Sequence, residues 1–210
     1  MSEPLIHADI AKAHTLPSRF YTDEDTFRNL ISGMQDCWYF GAHSSQFAEH
    51  NVIPLTDIET MLGEALMLTN SDGIRCLSNV CTHRGMLVAT EPCNSNTLQC
   101  RYHGRTFGID GCFKNMPEFQ DVEDFPSASD DLANFPVTDW KGLQLVGGDL
   151  YLEEAITELE SRLGWIDVES FQHAPSRYRS YEIKANWALY VDNYLEGFHI
   201  PFVHGDLHDV

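Results

Sequence analysis

The segments Cys81-Thr82-His83-Arg84-Gly85 and Cys100-Arg101-Tyr102-His103-Gly104 constrain the fold of this chain more than any other feature. A Cys-x-His pair stands sixteen residues ahead of a Cys-x-x-His pair, so two loops must meet if the four donors are to share one site. Each pair is followed by glycine, which lets the backbone turn tightly and present amide donors to whatever the loops hold. Cysteine and histidine also bind zinc, but structural zinc motifs usually begin with two cysteines about two to four residues apart. Neither segment does. The fold must therefore offer a rigid platform for two similar loops, and turn-rich β structure is suited to that.

With their flanking glycines, Cys81, His83, Cys100 and His103 resemble the ligand loops of the Rieske [2Fe-2S] domain. The resemblance implies a cluster with two thiolates on one iron and two imidazoles on the other, and neutral imidazoles in place of thiolates raise the reduction potential. Respiratory-chain Rieske proteins carry an extra cysteine in each loop; Met86 and Tyr102 stand at those places here, which is similar to the oxygenase and ferredoxin branches. Arg105 stands where many family members have Trp, and it puts a cation beside the cluster.

The stretch from Asn186 to His204 contains Asp192-Asn193-Tyr194-Leu195-Glu196-Gly197-Phe198-His199. At about 100° per residue, Asp192, Glu196 and His199 fall within about 60° of one another on one helical face. Trp187, Tyr190, Tyr194 and Phe198 occupy the other face, so the element is expected to be buried all round, as a central helix would be. Pro201 disfavours helix at Ile200, which lets the chain bend and return His204 towards His199. A buried helix with satisfied core histidines is the alternative reading of the same residues. Glu196, His199 and His204 are spaced as in the iron-binding segment of Rieske non-haem iron oxygenase α subunits, which this stretch resembles. That resemblance implies His199 and His204 as ligands of a mononuclear iron(II), with a third, carboxylate ligand from much further along the chain. It gives Glu196 an acidic bridging role towards the cluster, with Asp192 one turn earlier reinforcing it. Asp206 and Asp209 are nearby carboxylates but do not occupy the family's position.

The resemblance implies an α+β chain: an N-terminal arm and helix over 1–36, a mostly-β Rieske domain over 37–150, and over 151–210 the beginning of a helix-grip-like catalytic domain, truncated here. It implies an oxygenase component that passes electrons from the cluster to the iron, where O2 is activated to hydroxylate or demethylate an organic substrate. Electrons come from an NAD(P)H-dependent flavin reductase, a ferredoxin or both, and the full-length protein is expected to be a homotrimer. Glutamate at position 196 and the wording from Asp192 to His199 look closer to members acting on choline, carnitine or betaine than to those dihydroxylating naphthalene. An electron-transfer Rieske protein without oxygenase activity is the competing expectation.

Composition bounds the remaining possibilities. Thirty-two Asp and Glu oppose 13 Lys and Arg, for a net charge of −19, and such a surface suits neither nucleic acid nor anionic membrane. The acidic runs Asp23-Glu24-Asp25, Glu118 to Asp124 and Asp130-Asp131 read as solvated surface. No apolar run reaches a membrane span and Met1 to Ile10 lacks a signal-peptide pattern, so cytoplasm is expected. Outside the cluster pairs remain Cys37, Cys76, Cys93 and Cys112, of which Cys37 and Cys76 read as buried thiols.

Local patterns order the elements. Thr22 and Asp25 suggest the start of a helix marked by Phe27, Leu30, Ile31 and Met34. Short strands are expected at 38–42, 52–56, 65–69 and 74–79, at 98–100 and 105–109 around the second loop, and at 135–138 and 143–146. Ala155, Ile156, Leu159 and Leu163 predict a helix ending near Gly164, and a strand is expected at 178–184.

Overall fold

The structure, a computed structural model, describes residues 6–148 and 152–208. Helices α1 (Arg19–Thr22) and α2 (Glu24–Met34) precede β1 (Trp38–His43), β2 (Val52–Leu55), α3 (Glu59–Leu62), β3 (Leu66–Asn70) and β4 (Ile74–Ser78). β5 (Thr97–Gln99), β6 (Thr106–Gly108) and β7 (Phe113–Asn115) follow, then β8 (Asn134–Phe135), β9 (Val137–Trp140) and β10 (Leu143–Gly147). The chain continues through α4 (Leu152–Leu163), α5 (Trp187–Leu195), α6 (Ile200–Val203) and α7 (Gly205–His208). The α+β class expected from the sequence is what this architecture shows.

The chain divides into two compact units, residues 33–177 and a smaller one joining 1–32 with 178–210. The larger unit holds three antiparallel sheets, ordered β1-β10-β9, β2-β3-β4-β8 and β5-β6-β7. Its central sheet is apolar on both faces because its strands alternate: Val52, Met67 and Leu77 join one core cluster, while Ile53, Leu68 and Cys76 join the other. The first cluster also takes in Leu98, Phe107, Leu132 and the two cysteines Cys81 and Cys100. Both donor loops are thus rooted directly in the main core.

The segment after the β-domain is tied to the same unit. Trp140 Nε1 donates to Glu160 on α4 at 3.1 Å, Lys141 Nζ donates to the Gly164 carbonyl at the end of that helix at 2.7 Å, and His43 Nε2 meets the Val168 carbonyl at 3.1 Å. In the smaller unit, the Tyr21 hydroxyl donates to Asp192 at 3.1 Å and Asn186 Nδ2 donates to the Tyr21 carbonyl at 3.1 Å, so α1 and α5 are pinned together.

Several expectations need correction. No strand forms at 178–184, and Tyr178, Tyr181 and Ile183 are exposed; β propensity there has no partner strand to pair with among the described residues. Helix α2 is capped by Asp23, whose carboxylate accepts from the Thr26 amide at 2.8 Å, while the Thr22 hydroxyl turns back to the Ser18 carbonyl. Cys37 is exposed and only Cys76 of the expected pair is buried. No helix among the described residues is long and apolar enough to cross a membrane.

Candidate functional site

The two donor loops are built alike. Cys81 N–H donates to the Met86 carbonyl at 2.9 Å, and Gly85 N–H returns to the Cys81 carbonyl at 2.9 Å. In the second loop Cys100 N–H donates to the Arg105 carbonyl at 2.8 Å, and Gly104 N–H returns to the Cys100 carbonyl at 3.0 Å. Each loop closes on a glycine in the left-handed region, Gly85 at φ 71° and Gly104 at φ 76°. The first loop lies between β4 and β5, and the second is the tip of the β5–β6 hairpin.

This matching geometry brings like donors together. Cys81 and Cys100 belong to one buried core cluster, and the His83 and His103 rings meet edge to face with centroids 4.7 Å apart. Burial pushes the Cys81 thiol up, the His83 and Arg84 amides oppose this by donating to its sulfur, and Cys100 adds to the rise. Such amide donors favour a thiolate. Burial lowers the His83 imidazole, and His103, Arg84 and Arg105 lower it further, which favours the neutral ring that can offer a lone pair.

The donor set fits a [2Fe-2S] cluster. His83 Nδ1 is buried with no hydrogen-bond partner, Cys81 and Cys100 share one buried cluster, and the two imidazoles meet.

The second constellation lies at the end of α5, where the helix stops earlier than its periodicity implied. Leu195 is the last helical residue and Glu196 is extended at φ −110°, ψ 150°. Asp192, Glu196 and His199 therefore do not share a continuous helical face, and the break falls at Glu196, while Ile200, where it was expected, is helical. Pro201 instead occupies the first turn of α6, where its missing N–H costs nothing. His199 caps the start of α6 and His204 its end, and their rings meet at 5.3 Å. The expected approach of the two histidines is present, by a different backbone route.

Glu196 contacts His199 Nδ1 through one carboxylate oxygen and accepts the Phe198 amide at 2.5 Å through the other. The contact with His199 holds its carboxyl below the ordinary value, against some burial, with the Phe198 amide assisting. An ionised Glu196 fixes the proton on Nδ1 and leaves the Nε2 lone pair for a metal. His199 and His204 could thus hold an iron from one side. No third His, Cys, Asp or Glu completes a metal site with them among the described residues. Asp206 lines an open cleft with His204 and is exposed, and Asp209 lies outside the described residues. Asp192 accepts from Tyr21, a partner that helical periodicity could not reveal.

Arg105 is the main surprise of the larger unit. It is buried, paired with Asp130, and set over the rings of Phe113, Phe125 and Phe107 at 5.0, 5.6 and 5.8 Å. Asp130-Asp131 is correspondingly not a solvated run: both residues are half-buried, and Asp131 accepts from the Phe113 amide at 2.6 Å.

Comparison with known proteins gives two family matches, the Rieske [2Fe-2S] domain over residues 37–126 and the ring hydroxylating alpha subunit (catalytic domain) over 172–210. The carnitine monooxygenase oxygenase subunit of Escherichia coli (strain K12) is 28% identical over 214 residues, covering 96% of this chain and 55% of its own length. Chloroplastic choline monooxygenase of Spinacia oleracea is 28% identical over 203 residues, covering 91% and 45%. The chain spans about half the length of these curated relatives. The crystal structure of the quaternary ammonium Rieske monooxygenase CntA in complex with L-carnitine is 26% identical with a TM-score of 0.78, covering 94% of this chain and 57% of that one. Naphthalene 1,2-dioxygenase from Rhodococcus sp., at 24% identity and a TM-score of 0.75 over 93% of this chain and 47% of that one, shares the fold.

Proposed function

From a chain that belongs with the Rieske-type ring-hydroxylating oxygenase α subunits, we propose the oxygenase component of a multicomponent system acting on a small quaternary ammonium compound. One observation carries the reading: two loops of identical backbone hydrogen-bond pattern, each bearing one cysteine and one histidine, set the His83 and His103 rings edge to face with centroids 4.7 Å apart. Cys81, Cys100, His83 and His103 would hold the cluster, and His199 and His204 would hold a mononuclear iron. When bound, these groups supply single electrons and the activation of O2 for hydroxylating or demethylating the substrate.

The chain's own residues prepare that chemistry. Glu196 keeps the His199 proton on Nδ1 and orients the ring, and a carboxylate so placed can also accept a hydrogen bond from a second imidazole. Tyr21 orients Asp192, one turn before Glu196, in support. The third iron ligand is a carboxylate supplied from elsewhere in the complete oxygenase. A reductase or ferredoxin supplies electrons, and the assembly is a homotrimer in which cluster and iron of adjacent subunits cooperate. The substrate class is supported by relatives named for carnitine and choline.

Chain purified anaerobically should contain acid-labile sulfide with at least an equal amount of iron, any excess being mononuclear iron, and give the electron paramagnetic resonance of a mixed-ligand cluster on reduction. Protein that takes up zinc and no labile sulfide after attempted reconstitution would refute the reading. In the complete oxygenase, Glu196→Gln should retain both metals yet slow oxidation of the pre-reduced cluster by O2 with substrate present. An unchanged rate would remove Glu196 from the relay.

A further inference from the structure

Asp130 touches both donor loops at once. Its carboxylate pairs with the Arg105 guanidinium, two residues after His103. Its carbonyl accepts the Thr82 hydroxyl, between Cys81 and His83, at 2.8 Å. The other carboxylate oxygen is fixed by the Ser127 amide at 2.7 Å and the Ser127 hydroxyl at 3.1 Å. Arg105 is 3% exposed and its Nε has no partner, so Asp130 is its principal counter-charge within a wall of phenylalanines. That wall continues to the cluster loops: Phe125 packs on Phe119 at 5.3 Å, and Phe119 packs on the His83 ring at 5.9 Å.

We infer that the Arg105–Asp130 pair is a positioning device that clasps the two donor loops and, as a charge-balanced buried pair, sets the reduction potential of the cluster they hold. The inference rests on the cluster reading above. In a site of low polarity an unbalanced charge is felt strongly. A cation left without its partner favours the reduced, more negative cluster and raises the potential; an anion left alone lowers it. Removing both charges restores the balance. A purely structural contact has no such dependence on sign.

The test is a charge cycle on the 210-residue chain loaded with iron and sulfide, read as the midpoint potential by spectroelectrochemistry. Asp130→Asn should raise the potential, Arg105→Gln should lower it, and the double variant should return close to the parent. Single variants that shift the potential in the same direction, or not at all, while the cluster signal is intact would overturn the inference. If Asp130→Asn does not fold, Arg105→Gln and Arg105→Lys decide. A lower potential in Gln that Lys restores supports the clasp, and equal potentials in the two refute it. Failure of the cluster reading would look different, since no variant and no parent would then carry labile sulfide.

Discussion

Single residues decide how tightly the donor loops close. Gly85 and Gly104 sit at φ 71° and 76°, a region that costs a residue with a Cβ about 1–2 kcal/mol. The two sites differ in room: a Cβ at Gly104 would stand 3.3 Å from Pro117 Cγ, whereas at Gly85 the nearest atom is Val80 Cγ1 at 4.0 Å. Gly104→Ala should therefore lose its cluster to a chelator faster than Gly85→Ala, with both faster than the parent; the reverse order in bleaching of the visible absorbance would contradict this. A second residue links burial to pH. Burial pushes the Cys76 thiol from 9.0 up to about 12. The unfolded chain releases this proton near pH 9 and the folded chain keeps it until about pH 12, so within that window the unfolded state binds fewer protons and stability falls as pH rises. Cys76→Ala should shed part of this alkaline loss, seen as a smaller drop in urea midpoint than the parent shows over the same rise in pH. In the native protein, iodoacetamide should label Cys37, Cys93 and Cys112 before Cys76.

Elements show what the sequence could and could not reveal. The strands from Trp38 to Ser78 were legible because alternating apolar residues feed two core clusters, and that alternation is a local signal. Helix α4 was legible from its apolar period and the glycine that ends it. The stop of α5 at Leu195 was not: periodicity continues through Glu196 and His199, and the competing choice is made by the Glu196 carboxylate bonding the Phe198 amide. Gly197, just past the break, was the available hint. The two glycine-closed loops at Cys81 and Cys100 were visible in the sequence as matching Cys/His segments, whereas the burial of Arg105 depended on Asp130, twenty-five positions away, and no pattern announces such a pairing. The hairpin β5–β6 carries the second loop, and Phe107 within it is fully buried among Cys81, Cys100 and Leu77. Phe107→Ala should cost about 3–5 kcal/mol, read from the denaturant midpoint, and should release the cluster along with the fold. A loss under about 1 kcal/mol would mean that the hairpin is held by its backbone ladder rather than by this core.

At the scale of the whole molecule, two opposed surface properties meet. The net charge is −19, which makes copies repel one another, while α5, α6 and the turn between them expose Tyr190, Tyr194, Leu195, Phe198 and Phe202, the last four at 79% or more. An apolar area of this kind promotes association. Repulsion among surface charges reaches about 30 Å at 0.01 M salt but only about 10 Å at 0.1 M, whereas the attraction between apolar faces is not screened. The 210-residue chain should therefore sediment as a monomer at low ionic strength and form larger species as salt is added. Phe198→Ser with Phe202→Ser should suppress that shift without changing the net charge. Sedimentation velocity across a salt series checks both parts. Association that weakens with salt would instead mean that complementary charges hold the copies together, and the exposed aromatic face would then have no part in it.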